Sequence, residues 1–142
     1  MINEHFKVTG EVTIQKNGKV IREIPNTIVT AGKNNIASLI TDAGTKMTHM
    51  AVGTGTTSVA AGNTALVTET DRNALSTSGG TPSTNTIVYA AVWAAGDGTG
   101  ALTEAGLFSA SSGGTMMART VFSAVNKAAG DILTITWTVT IS

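Results

Sequence analysis

Two histidines, His5 and His49, are the chain's entire stock of imidazole, and there is no cysteine. A hydrolytic triad or a metal centre needs imidazole beside a carboxylate or other ligands, and neither histidine has such neighbours in sequence. His5 falls in the amino-terminal arm, and His49 sits within an apolar segment where a structural role is expected. The stretch "GTGTTS" (Gly53–Ser58) superficially resembles a phosphate-binding loop. It lacks the third glycine of a dinucleotide fingerprint and the Gly-Lys-Ser/Thr of a P-loop, so it reads as a turn between strands. "GDGTG" (Gly96–Gly100) offers one acidic residue where a calcium loop needs several oxygen ligands, and reads as a hairpin turn. Glu69 and Asp71 are two positions apart, but paired acids in a glycosidase work in a cleft lined by sugar-stacking aromatics. The six aromatic residues here mostly occupy strand positions suited to a core. No catalytic residue, cofactor site or metal ligand set is expected.

Three charges do stand out. Arg72, Glu104 and Arg119 are embedded in the apolar segments "TDRNAL", "LTEAGLF" and "MMARTVF". A buried charge is costly unless paired. The reading adopted is an internal ion pair of Glu104 with Arg72 or with Arg119, fixing strand order. The alternative is a charge presented at a subunit interface.

The elements that must position these residues are mainly β. A length of 142 residues suits one domain with one sizeable core. In "EVTIQKNGKVIRE", Asn17-Gly18 supplies the two positive-φ positions of a type I′ turn, predicting a hairpin with Ile14 opposite Ile21 and Thr13 opposite Arg22. Pro25 and Asn26 end its second strand. One short helix is predicted over about residues 30–42, with Thr30 as N-cap, an apolar stripe of Ile36, Leu39 and Ile40, and Gly44 after its end. From Lys46 onward, short strands alternate with Gly/Ser turns. "TALVTETDRNAL" is ambiguous between strand and helix, and "STSGGTPST" reads as a loop. The expected fold is an antiparallel β-sandwich or barrel in one domain, with residues 1–25 as arm and hairpin and residues 26–142 as the core sandwich.

Only 13% of the residues are charged and the formal net charge is zero. An average soluble domain carries roughly 25% charged residues. No electrostatic footprint for nucleic acid or anionic membrane is visible. The amino terminus has no apolar core of a secretory signal, and the longest apolar run, Val88 to Ala95, is too short to span a bilayer. A cytosolic product is the default expectation. The segment "DILTITWTVTIS" alternates throughout. Leu133, Ile135, Trp137, Val139 and Ile141 share one face, and Thr134, Thr136, Thr138 and Thr140 share the other. The first face is expected in the core. The threonine face can form close hydrogen-bonded contacts with little desolvation of charge, which makes it a candidate assembly surface. The hairpin either pairs within its own sheet or adds strands to a neighbour's.

The ordered segments "NTIVTAG" (Asn26–Gly32), "MAVGTGTT" (Met50–Thr57), "TALVTETDR" (Thr64–Arg72), "LTEAGLF" (Leu102–Phe108) and "MMARTVF" (Met116–Phe122), closed by "LTITWTVTI", resemble small virion proteins of tailed bacteriophages. They are similar in particular to the amino-terminal attachment domain of tail-collar fibre proteins. The resemblance covers about residues 26–141. It implies a non-enzymatic β-rich module that docks on a phage particle, commonly as a trimer, after synthesis in the host cytoplasm. A fibre protein runs on into a shaft, whereas this chain stops with the domain, which brings it closer to a stand-alone head decoration (cement) protein. Expected partners are then copies of itself and the major capsid protein. A small tail or baseplate adaptor is the alternative, with tail or baseplate proteins as partners. A carbohydrate-binding sandwich is a more remote one, needing an exposed aromatic platform for which Trp93 and Tyr89 are the only candidate pair.

Overall fold

A computed structural model describes residues 6–142; His5 and the start of the arm lie outside them. The elements in order are β1 (Val8–Lys16), β2 (Lys19–Pro25), β3 (Thr27–Ile28), α1 (Thr30–Ile40), β4 (His49–Gly53), β5 (Glu69–Ala74), β6 (Thr81–Ser83), β7 (Thr86–Trp93), β8 (Gly100–Phe108), β9 (Met116–Lys127) and β10 (Leu133–Ile141). They form two antiparallel five-stranded sheets, β2-β1-β10-β7-β6 and β3-β9-β8-β4-β5. The sheets stay separate, so the architecture is a sandwich rather than a closed barrel. Their inner faces share one apolar core: Val12, Ile14, Ala91, Trp93, Ile135 and Trp137 from the first sheet meet Met50, Val52, Ala105, Leu107 and Ala118 from the second.

The hairpin forms around Asn17 (φ 53°) and Gly18 (φ 81°) as their positive-φ preference dictates. Its register differs from the sequence expectation. Lys16 and Gln15 pair with Lys19 and Val20, but a bulge then sets Ile14 opposite Arg22 and Thr13 opposite Glu23. Burial explains the shift. A regular ladder would put Ile24 on the outer face and Glu23 on the inner. The extra residue brings Ile24 opposite Val12, so that both Ile21 and Ile24 pack on the core. The hairpin belongs to its own sheet, because β1 pairs along its whole length with β10. Strand β10 is therefore central, flanked by β1 and β7. Its last residues are fastened by hydrogen bonds between Lys7 and Ser142 and between Ile141 and Asn85.

Other expectations are resolved or corrected. "TALVTETDRNAL" resolves as strand over Glu69–Ala74, and "STSGGTPST" contains the short edge strand β6. The helix runs from Thr30 to Ile40, with Val29 rather than Thr30 at the N-cap position and no side-chain cap. Its first N–H groups instead find backbone partners, Val29 N–H on Met117 O and Thr30 N–H on Ala61 O. Its fully buried residues are Gly32 and Asn35; of the Ile36–Leu39–Ile40 stripe only Ile36 packs on the core. Gly32 lies so close to the Met117 backbone that a Cβ would collide with it, and Asn35 holds Thr45 through its side-chain amide (2.6 and 2.9 Å). Close backbone approach thus overrides the apolar pattern. Leu39 and Ile40 are left exposed.

Candidate functional site

Ala105 and Leu107 of β8 point into the shared core, so Glu104 and Gly106 point to the opposite, outer face of the second sheet. There the cross-strand pairs form two adjacent rows. One runs Glu69–Gly53–Glu104–Val121, and the next runs Arg72–Ala51–Gly106–Arg119. Two carboxylates and two guanidinium groups are thereby set in neighbouring rows, with only Gly or Ala between them. Each arginine takes the acid nearest it. Arg119 binds Glu104 through Nε and Nη2 at 3.1 and 2.9 Å, with both side chains fully buried. Arg72 binds Glu69 at 2.9 and 2.6 Å. The structure places Glu104 with Arg119, and Arg72 with a residue outside the expected trio.

Glu104 is the hub of a lid over this face. Its Oε1 accepts the Gly55 and Thr68 N–H groups (3.0 and 2.8 Å), and its Oε2 accepts Val67 N–H (3.0 Å) besides Arg119. Arg119 extends the network to Asn63 Oδ1 (3.1 Å) and Thr57 O (3.0 Å). The strandless segment 54–68 is thus pinned at both ends and in its middle. It covers a second small core of Val29, Ala51, Leu66, Phe108 and Met116. Burial alone would push the Glu104 carboxyl up. The N–H groups of Thr68 and Val67, the Arg119 guanidinium and Gly55 N–H outweigh it, holding the carboxyl below its ordinary value of 4.5. Gly53 and Gly55 are glycines for a steric reason: a Cβ would meet Glu104 Oε1 at 2.6 and 2.5 Å. The "GTGTTS" stretch therefore does present a backbone N–H to an anion, and that anion is the chain's own carboxylate.

Arg72 also stacks on the Phe108 ring, 3.7 Å from its centroid, and donates to Ala110 O and Gly113 O, both at 2.9 Å. It clamps the β8–β9 loop as Glu104 clamps the 54–68 loop.

The outer face of the first sheet is different, because no segment among the described residues covers it. Thr134, Thr136, Thr138 and Thr140 run along the central strand, half-buried by their neighbours. Thr140 lies between Thr9 and Thr86, Thr138 between Glu11 and Val88, Thr136 between Thr13 and Ala90, and Thr134 between Gln15 and Val92. Adding the outward residues of β2, the only charges at these paired positions are Glu11 and Glu23. Leu133, Ile135, Trp137 and Val139 on the other face are buried in the core.

The remaining chemistry-bearing residues do not converge. His49 is half-buried, with Nδ1 2.8 Å from Thr48 Oγ1, and no group of three metal-ligating side chains occurs among the described residues. Gly96 and Gly98, at φ 88° and 58°, build the β7–β8 turn. Trp93 and Tyr89 are buried, which removes the platform expected for carbohydrate binding; among the described residues Phe6 is the only exposed aromatic. One buried charge escaped the sequence reading. Lys127 is nearly inaccessible and donates to Ala94 O (2.9 Å). Its signal was the continued alternation Val125–Lys127, which carries β9 on to Lys127. Comparisons with protein-family models, curated proteins and solved structures return no match.

Proposed function

We propose that this protein is a non-enzymatic structural component of a tailed-phage particle, a capsid decoration protein that binds and stabilises the head lattice as an oligomer. The observation that carries this reading is the convergence of the ordered motifs. Gly55 of "MAVGTGTT", Val67 and Thr68 of "TALVTETDR", Glu104 of "LTEAGLF" and Arg119 of "MMARTVF" all meet in one buried network. Segments that are individually weak as sequence signals thus form a single physical unit, as expected if they are the framework of one docking module. The threonine face supports the reading from a second side. It is broad, uncovered and nearly free of charge, so burying it against a neighbour costs little desolvation.

The test is to add purified protein to particles that lack it. Binding to emptied heads with a gain in heat resistance supports decoration, and binding only to tails overturns it in favour of a tail or baseplate adaptor. Thr136→Lys with Thr138→Lys should fold normally, since each position is half-exposed and Glu11 lies beside Thr138; strand preference sets the folding cost at about 1 kcal/mol or less. The double variant should bind particles poorly. Unimpaired assembly would return this face to solvent.

A further inference from the structure

We propose that the cleft between α1 and the start of β1 is a docking site for an acidic peptide segment of a partner protein, anchored by apolar side chains. The proposal holds whether or not the chain sits on a phage particle. The cleft, about 600 Å³, is lined by Phe6, Lys7, Val8, Lys33, Ile36 and Ile40, with Thr9 and Ala37 completing its walls. Phe6 is 69% and Ile40 81% exposed, so two large apolar side chains stand open to water on opposite walls. This follows from the packing of α1, which turns Gly32 and Asn35 inward, lets Ile36 reach the core and leaves Leu39 and Ile40 exposed.

The cleft leads deeper. A second cavity of about 260 Å³ shares Val8 and Ile36 with it and runs to Met47, Tyr89, Met117 and Val139 at the end of the sandwich. The pair has the form of a groove with one deep apolar hole, in the size range of roughly 300–1,000 Å³ typical of ligand clefts. A helical or extended segment could lay apolar residues at i, i+3 or i+4 along Phe6 and Ile40 and sink one of them into the hole.

Charge chooses the occupant. Lys7 and Lys33 line the cleft and Lys46 the deeper cavity, and no carboxylate lines either among the described residues. Asp42 lies beyond the end of α1 and lines neither. In a chain of zero net charge this is a local cationic rim on an apolar groove, complementary to apolar anchors flanked by Asp or Glu. A second copy related by a two-fold axis would set these lysines against their equivalents with no lining carboxylate between them. A flat anionic membrane would leave the deep hole empty.

The experiment uses the full chain and a synthetic 14-residue peptide with Leu at i, i+3, i+4 and i+7 and Glu at the other positions. Its partners are a Lys-for-Glu isomer and phosphatidylserine vesicles. The Glu peptide should bind, with amide-shift changes confined to residues 6–9, α1 and residues 45–47, and should weaken as salt rises. Lys7→Glu with Lys33→Glu, and separately Ile40→Ser, should each weaken it by about tenfold or more. These side chains are exposed, so the variants should keep the wild-type melting point. The proposal is overturned by equal binding of the Lys isomer or by shifts elsewhere on the surface. Vesicle binding that depends on the same residues would overturn it in favour of a membrane, and concentration-dependent dimerisation abolished by Ile40→Ser in favour of a second copy.

Discussion

Replacing Glu104 with Gln isolates the buried hub. The side chain keeps its shape, but one carboxylate oxygen becomes an NH₂ group. At the Oε2 position that group faces Val67 N–H and both Arg119 donors; at Oε1 it faces the Gly55 and Thr68 N–H groups. Either way donors oppose donors, and the fully buried Arg119 loses its counter-charge. Removing one partner of a buried pair costs about 3–5 kcal/mol. For a chain of 142 residues, 1 kcal/mol moves the melting point by roughly 3–4 °C, so a fall of roughly 10–20 °C is expected. Thermal unfolding followed by circular dichroism measures it, and hydrogen exchange should show the Gly55, Val67 and Thr68 amides losing protection. The effect is pH-dependent, and its sign follows from the depressed carboxyl. A folded pKa below the unfolded value contributes stability that is fully present above the ordinary value of 4.5. That contribution is lost as pH falls through the folded value. The gap between wild type and variant should therefore be widest near neutral pH and shrink in acid. A melting point unchanged at pH 7, or a gap that grows on acidification, would refute the hub.

Gly55→Ala should destabilise the fold by about 1–3 kcal/mol, because its methyl meets both the Glu104 carboxylate and Val67 Cβ, and urea unfolding would register it. Arg72→Met keeps apolar contact with Phe108 but removes the ion pair and both carbonyl contacts. A loss of about 1–2 kcal/mol is expected, with faster amide exchange across residues 109–115, and unchanged exchange there would refute the clamp.

Local chemistry made much of this fold legible in the sequence. Asn17-Gly18 announces its turn, the alternation from Leu133 to Ile141 announces both a strand and its buried face, and Glu104 and Arg119 announce themselves as charges among apolar neighbours. What escaped depends on distant partners. The bulge opposite Ile14 exists because Ile24 needs the core that strands far along the chain complete. The inward face of α1 is decided by how near Gly32 can come to the Met117 backbone, which hydrophobic periodicity does not encode. Glu104 had two candidate arginines; the register of β8 with β9 gave it Arg119, and Arg72 took Glu69, three residues back on its own strand. The lid of residues 54–68 has no regular pattern to read, since the Glu104 carboxylate and the Leu66 anchor supply its order.

The pairing of β1 with β10 also sets a timetable. Val8–Lys16 leaves the ribosome more than a hundred residues before Leu133–Ile141. At about 5–20 residues per second the wait is roughly 6–24 s, far longer than the microseconds in which a hairpin closes. Throughout that interval β1 has β2 on one side and an open row of backbone donors and acceptors on the other, with Val12 and Ile14 facing no core. The first sheet can be completed only after β10 has been made, so the decisive step in folding this half waits for a strand more than a hundred residues away. Nascent chains crowded on one message would be most prone to mispairing at this strand.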